Sequence, residues 1–296
     1  MVMVVKFSLI EARTDLGVNI DGSNLGPKKI SNHFKKNKNI SKIIEIEKDK
    51  INKSEDPNDL AKNLNEINSF NEKLYNTVIN IKNDNEFPII LGGDHSLAIG
   101  SALGSINKEK KLGIIWIDAH IDYNTFETTI TGNIHGLPLA ATNGLNKKLS
   151  LFHKGNYFSP ANTVVIGYRA EEENKYIELK NIANMGVTVF TTNDIKNLGI
   201  KKVVEKAVEI ATKNTNGIHI SYDLDVIDPE VSPGVNTPIE DGLNLKEAFG
   251  IIDELLNNKN PIKSMDLVEF NPNNDIDKKT EKIAVDIVKK VIKNLS

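Results

Sequence analysis

Six side chains in this sequence have the types and spacing to hold metal ions: His95, Asp118, His120, Asp122, Asp223 and Asp225. Three of them sit in one short run, Asp118-Ala119-His120-Ile121-Asp122, directly after the apolar stretch Gly113-Ile114-Ile115-Trp116-Ile117. If extended backbone persists through the polar part, side chains alternate faces, and Asp118, His120 and Asp122 point to one side. Two carboxylates and an imidazole so crowded would repel and desolvate at high cost unless a cation sits among them. A divalent metal is the natural occupant. A solvated strand end with incidental charges accounts for this segment alone equally well. The full set is more telling: two imidazoles and otherwise carboxylates suit Mn²⁺ better than structural Zn²⁺. Asp118, Asp122, Asp223 and Asp225 carry more charge than one divalent ion needs. Two ions about 3.5–4 Å apart, bridged by carboxylate, would balance them, and such a pair generates hydroxide at neutral pH. The implied chemistry is hydrolytic.

The remaining histidines divide by context. His33 and His153 lie in polar surroundings and are expected to be exposed. His219 precedes Asp223 in a strand and reads as a core histidine or a support to a ligand. His135, in Gly132-Asn133-Ile134-His135-Gly136, lies close to the metal run but outside it. A proton-carrying role fits such a histidine, and so does packing at a helix start.

These residues need a scaffold, and the chain alternates strands with helices. Strands are expected at Val2–Ile10, Ile40–Ile46, Pro88–Leu91, Leu112–Ile117, Thr163–Gly167, Val187–Phe190, Gly217–Tyr222 and Pro261–Phe270. A helix opens at Gly26-Pro27. Another runs from the Asp56-Pro57 cap to about Lys82, and a small-residue helix ends near Ile106. Further helices are expected over Gly136–Asn143, Glu171–Asn184, Ile200–Lys213, Leu245–Leu256 and Asp277–Leu295. The crossovers are long enough for parallel pairing. No linker divides the chain, and no internal repeat is found. The expectation is one α/β domain over residues 1–296, a doubly wound, largely parallel sheet in three layers. In such sheets ligands bind beyond the carboxyl ends of the strands. His95, Asp118 to Asp122, Asp223 with Asp225, and Glu269 all follow such ends.

Composition narrows the function classes. The chain has 296 residues, 39% hydrophobic and 26% charged, with a formal net charge of −3 and no cysteine. The charge recommends no nucleic-acid partner. The missing cysteine excludes disulfides and thiolate ligands. The start, MVMVVKFSLI, lacks the order of a signal peptide, and no apolar run reaches membrane-span length. A cytoplasmic protein is expected. Arg13 and Arg169 are the only arginines.

Taken together, Gly92-Gly93-Asp94-His95-Ser96, Asp118-Ala119-His120-Ile121-Asp122 and Ser221-Tyr222-Asp223-Leu224-Asp225, leading into Asp228-Pro229, resemble the signature blocks of the ureohydrolase family. The match covers nearly the whole chain. Asn124-Thr125 and Thr128-Thr129-Ile130-Thr131-Gly132-Asn133-Ile134-His135-Gly136 look like the substrate loop of its arginase branch. Val268-Glu269-Phe270-Asn271-Pro272 looks like that branch's late strand.

The resemblance implies an arginase-like fold, two Mn²⁺ per chain, and hydrolysis of L-arginine to L-ornithine and urea by a metal-bridging hydroxide. One ion would take His95, Asp118, Asp122 and Asp223, the other His120, Asp118, Asp223 and Asp225. Asp122 would also accept the hydroxide's proton, His135 would shuttle protons, and Glu269 would pair with the guanidinium. Asn124, Thr129, Thr131 and Asn133 would hold the α-carboxylate end, with Thr237 near the guanidinium. The family commonly forms homotrimers or homohexamers.

Three departures stand out. Val226 replaces a glycine in the pattern Asp-X-Asp-Gly-Leu-Asp-Pro. Asp241 replaces the first glycine of a Thr-Pro-X-X-Gly-Gly turn. Glu172 and Lys175 stand where arginases carry an Asp and a Glu that read the α-amino group. These last two motivate a rival reading, hydrolysis of a guanidino acid such as 4-guanidinobutyrate. A zinc deacetylase on a related fold would use adjacent histidines, and the sequence has no His-His pair. A non-catalytic metal-binding homologue would commonly have lost ligands, and all six are present.

Overall fold

The computed structural model describes residues 5–56, 58–169, 179–180, 182–257 and 260–296. Eight strands form one parallel sheet: β1 (Phe7–Arg13), β2 (Ile40–Glu47), β3 (Phe87–Gly92), β4 (Gly113–Ile117), β5 (Thr163–Tyr168), β6 (Thr188–Thr191), β7 (Ile218–Asp223) and β8 (Ile262–Val268). Their order across the sheet is β2-β1-β3-β8-β7-β4-β5-β6. Every neighbouring pair is parallel. The four strands that lead into the candidate site, β3, β8, β7 and β4, are therefore contiguous in its middle.

A sheet buried on both faces demands apolar residues at successive positions, and β4 supplies them. Ile115 and Ile117 pack into one core, and Ile114 and Trp116 into the other. The first core is completed by α1 (Gly26–Ser31) and by helices later in the chain. The opposite face is covered by α2 (Leu64–Asn83), α3 (Ala98–Glu109) and α4 (Pro138–Thr142). A capping box between Thr191 and Asp194 starts α5 (Thr192–Leu198), a helix that the apolar periodicity does not mark. α6 (Ile200–Thr212), α7 (Leu245–Leu256) and α8 (Lys279–Leu295) complete the layer that holds α1. The architecture is the expected three-layer, doubly wound α/β fold, and its sheet is parallel throughout. Among the described residues, no helix is long and apolar enough to cross a membrane.

Several expectations need correction. The helix expected from Asp56-Pro57 begins at Leu64, after Asn63 in the left-handed region (φ 57). Upstream, polar side chains bond the backbone locally and compete with a helix: Asp56 accepts from Asn58 N and Asp59 from Ala61 N. That segment braces another loop instead, for Lys62 N donates to Gly132 O at 3.1 Å. The helix expected over Gly136–Asn143 shrinks to Pro138–Thr142 after a 3₁₀ turn. The first strand ends at Arg13 rather than Ile10. His153 is buried, not exposed, with Nε2 3.0 Å from Asn156 O and Nδ1 3.4 Å from the Tyr75 hydroxyl. Most of the helix expected over Glu171–Asn184 lies outside the described residues.

The two glycine replacements are accommodated. Val226 is fully buried, and a Cβ on Gly167 would come within 2.3 Å of it, so Gly167 leaves the space that Val226 fills. Asp241 keeps a left-handed backbone at φ 60, which Asp tolerates better than most residues.

Candidate metal centre and substrate cleft

Each carboxyl end of the four central strands delivers part of one cluster. After β3, Asp94 caps a 3₁₀ turn by accepting from Ser96 N, which presents His95. After β7, Asp223 caps a second turn by accepting from Asp225 N at 2.7 Å, so both carboxylates leave the strand together. After β4 the extended geometry does not persist. The strand stops at Ile117, Asp118 accepts from His120 N at 2.6 Å, and Asp122 has φ 54. A turn rather than pleat alternation brings Asp118, His120 and Asp122 together. After β8, Glu269 is also left-handed, with φ 66. Two functional carboxylates in a sparsely populated backbone region mark a site whose surroundings hold it there.

The six expected ligands converge. His95 Nδ1 lies 3.0 Å from Asp118 Oδ2, 3.2 Å from Asp122 Oδ2 and 3.0 Å from Asp223 Oδ2. It is buried and makes no hydrogen bond to any of them. His120 Nδ1 lies 3.0 Å from Asp225 Oδ2 and 3.4 Å from Asp118 Oδ1. Ligand atoms of His95, Asp118 and Asp223 form one group able to hold an ion, and those of Asp118, His120 and Asp225 a second. Asp118 belongs to both, offering one oxygen to each, which is the geometry of a bridge.

The surroundings of His95 fit a metal ligand. Its ring stacks on Trp116, with centroids 4.0 Å apart and planes 6° apart. Its Nε2 is 2.8 Å from Ser221 Oγ, and Ser221 Oγ donates to Asp266 Oδ1 at 2.5 Å. Burial raises Asp266, but His219, His95 and the Ser221 hydroxyl together lower it by more, so this carboxyl lies below its ordinary range. An ionised carboxylate only accepts, so the Ser221 proton goes to Asp266 and Ser221 accepts from His95 Nε2–H. The lone pair of Nδ1 is thereby left facing the carboxylates, as a metal ligand requires. His219, fully buried, completes this support through Nε2, 3.0 Å from Asp266 Oδ2. Trp116 Nε1 donates to Asp118 Oδ2 at 2.9 Å.

Electrostatics agree with the geometry. Burial by itself lowers His95 and His120, yet the carboxylates around them raise both well above the ordinary imidazole value. Burial and the Asp118 carboxylate push Asp122 up to about 6. A metal ion entering this cluster must displace the imidazole protons. Mn²⁺ affinity is accordingly expected to fall as pH drops from about 8.5 to about 6, with protons released on binding. Calorimetric titration in buffers of different ionisation enthalpy measures both. Affinity independent of pH, without proton release, would show that the imidazoles are not ligands.

Above the cluster is a cleft of about 350 Å³. His95, His120, Asp122, Asp223 and Asp225 reach its inner wall. Asn124, Thr128, Thr129, Ile130, Thr131 and Asn133 line one side, and Thr237, Pro238 and Ile239 another. His135 lines it too, and its backbone N–H is anchored on Gly17 O at 3.1 Å. Burial by itself lowers His135, but Glu269, with Oε1 3.5 Å from Nδ1, raises it with help from Asp122 and Asp94. Glu269 and Asp118 are almost fully buried, and Glu269 lies against His135, which lines the cleft. Thr129 Oγ1 accepts from Gly132 N and Thr131 Oγ1 from Asn133 N, so both threonines also shape their loop. Thr237 Oγ1 donates to Asp225 Oδ2 at 3.1 Å. Glu172 and Lys175 lie outside the described residues.

Sequence reasoning did not single out Thr128, Asn236, Ser221, Trp116 or Asp266 for this site. Thr128 donates to Asn124 Oδ1 at 3.2 Å and so steers a residue of the cleft wall. Arg169 clamps the loop that carries Thr237. Its guanidinium donates to Asp225 O, Ile239 O, Val226 O and Glu240 O at 2.8–3.0 Å. Being one of two arginines was its sole advance signal. The other, Arg13, pairs with Glu45 and Glu47 away from the site.

A family model described as the arginase family matches residues 5–293. The chain is 39% identical to the arginase of Bacillus subtilis strain 168 over 252 residues, 84% of this chain and 82% of that protein. The structure is similar to the native arginase of Bacillus caldovelox at pH 5.6, with TM-score 0.89 and 33% identity, covering 97% of this chain and 98% of that one. It is also similar to the Entamoeba histolytica arginase in complex with L-ornithine, with TM-score 0.85 and 28% identity, covering 98% and 99%.

Proposed function

This chain belongs to the arginase family, and we propose that it hydrolyses L-arginine to L-ornithine and urea at a binuclear manganese centre formed by His95, Asp118, His120, Asp122, Asp223 and Asp225. The observation that carries this reading is the convergence of two imidazoles and four carboxylates around two points that share Asp118. The oxygen-rich donor set supports Mn²⁺. The whole chain, residues 1–296, is read as one catalytic domain. Its proposed assembly is a homotrimer or homohexamer and its proposed compartment the cytoplasm.

When bound, such a pair of ions supplies a nucleophilic hydroxide at neutral pH. The chain's own residues do the rest. Asp122 takes the nucleophile's proton. His135, in the cleft wall and raised by Glu269, carries a proton to the leaving amine. Glu269 receives the guanidinium beyond His135. Asn124, Thr129, Thr131 and Asn133 present hydroxyl and amide groups to the α-carboxylate from the cleft wall. Thr237 holds Asp225 and faces the same cleft. The Entamoeba relative was crystallised with L-ornithine, the product expected here.

Urea release with Mn²⁺, compared across L-arginine, agmatine, 4-guanidinobutyrate and 5-guanidinovalerate, tests the reading. L-Arginine is expected to be the best substrate. Agmatine, lacking the carboxylate, should be poor. Because Glu172 and Lys175 replace the usual amino-group readers, discrimination against 5-guanidinovalerate, the desamino analogue, should fall short of the ~10⁴-fold typical of a well-made polar recognition site. A preference of that size would show that the α-amino group is read fully. A wild type that prefers 4-guanidinobutyrate would transfer the activity to another guanidino acid.

A further inference from the structure

Glu269 is held from two sides. Its Oε1 accepts from the backbone N–H of His95 at 2.7 Å, and its Oε2 accepts from the side-chain amide of Asn236 at 3.2 Å. The first contact follows from the placement of β3 beside β8. The second comes from a loop 33 residues away in sequence. Asn236 is buried.

The direction of that amide is fixed by its neighbour. Asn271, fully buried, accepts at Oδ1 from the backbone N–H of Asn273 at 2.9 Å. Its Nδ2 donates to Asp21 O at 2.9 Å and to Asn236 Oδ1 at 2.7 Å. A backbone N–H can only donate and a backbone carbonyl can only accept, so Asn271 cannot be turned over. With both Nδ2 hydrogens of Asn271 committed, Asn236 Oδ1 must accept, and its NH₂ must face Glu269. The two amides form a directional chain that ends on one carboxylate oxygen. The loop bearing Asn236 is docked on the same segment: Asn271 N donates to Gly234 O and Asn274 Nδ2 to Val235 O, both at 2.8 Å.

We infer that Asn236, oriented by Asn271, is a positioning residue that fixes the Glu269 carboxylate in the single orientation that receives the substrate's guanidinium. This rests on the proposed pairing of Glu269 with that guanidinium. The left-handed backbone of Glu269 makes such restraint necessary, since strain persists only where the surroundings over-determine it.

Asn236→Asp keeps the shape and sets a carboxylate oxygen against Glu269. Asn271→Asp never touches Glu269, but it offers Asn236 an acceptor and so favours turning its amide over. With manganese content and melting temperature checked, KM for L-arginine should rise about 10- to 100-fold in Asn236→Asp, and less in Asn271→Asp. Inhibition by L-ornithine, which has no guanidinium, should change little in either. Asn236→Ala serves as the second variant, and in its background Asn271→Asp should add no further loss, because the relay is already cut. Wild-type KM in both Asn236 variants overturns this inference alone, provided wild type releases urea. Equal weakening of arginine and ornithine also overturns it, since that reports a merely structural role. Wild type without urea release from any guanidino acid overturns the functional reading and this inference together.

Discussion

Asp118→Asn is expected to empty both metal positions and abolish measurable urea release, whereas His120→Asn should weaken mainly one. Asp118 alone is shared by both ligand groups, with Oδ2 beside His95 Nδ1 and Oδ1 beside His120 Nδ1. The isosteric amide keeps an acceptor for Trp116 Nε1 or for His120 N, but not for both. It also removes one of the charges that offset two divalent ions. The cost compounds, because Asp122, Asp223 and Asp225 then remain buried with fewer cations among them, and breaking a buried ionic cluster costs on the order of 3–5 kcal/mol. Metal analysis after equilibration with excess Mn²⁺, alongside a urea assay, measures the effect. Two ions retained in Asp118→Asn would show that another carboxylate is the bridge, with Asp223 the next candidate. A single tightly bound ion in fully loaded wild type would remove the binuclear centre altogether.

The scaffold was legible because its signal is local and repeated. The apolar run at Gly113–Ile117 announces a strand buried on both faces, and it ends in residues that no core would take. The convergence of His95, Asp118, Asp223 and Asp225 followed from the rule that parallel sheets bind ligands at their carboxyl ends. How the convergence is achieved was not legible. Alternating pleat geometry predicted the right partners for Asp118, but the backbone turns at Asp122 to do it. Nothing in the residue type asks for a left-handed Glu269 either. Only tertiary contacts enforce it.

Side-chain contacts across the chain were the least visible layer. Ser221 meets Asp266 across 45 residues and Arg169 reaches Glu240 O across 71. The neighbours of His153 in sequence are polar and suggest exposure, yet Tyr75, 78 residues away, helps to bury it. Asp56 has the place of a helix cap in the sequence, but Asp56 and Asp59 make local turns that leave the chain free to support Gly132. That diversion matters for the site, since Gly132 belongs to the loop whose threonines line the cleft. A Cβ there would lie 1.9 Å from Asp59 O, at φ 70, so the close approach needs glycine.

Glu269→Gln is expected to lower kcat/KM for L-arginine severely while leaving the fold and metal content intact. The carboxylate is 1% exposed and accepts from two fixed donors, His95 N and Asn236 Nδ2. A glutamine has one acceptor oxygen and one NH₂ group to set against them. Its NH₂ must therefore meet a donor, and Asn236 cannot turn over to relieve this while Asn271 holds it. The variant thus loses the charge that attracts the guanidinium and gains an unsatisfied buried group, both at the point where the substrate must dock. Losing one partner of a buried, hydrogen-bonded charge pair costs about 2–5 kcal/mol, or ~30- to 5,000-fold. His135 should feel the change as well. Burial lowers it, Glu269 is the main group that raises it, and without that charge its affinity for a proton falls. The acidic limb of the residual pH–rate profile should then shift to lower pH if His135 must lose its proton. The basic limb should shift the same way if it must keep one. The measurement is kcat/KM across pH for wild type and Glu269→Gln, with L-ornithine inhibition as a control for the intact far end of the cleft. Kinetics within about 3-fold of wild type, far below the expected range, would place the guanidinium elsewhere in the cleft.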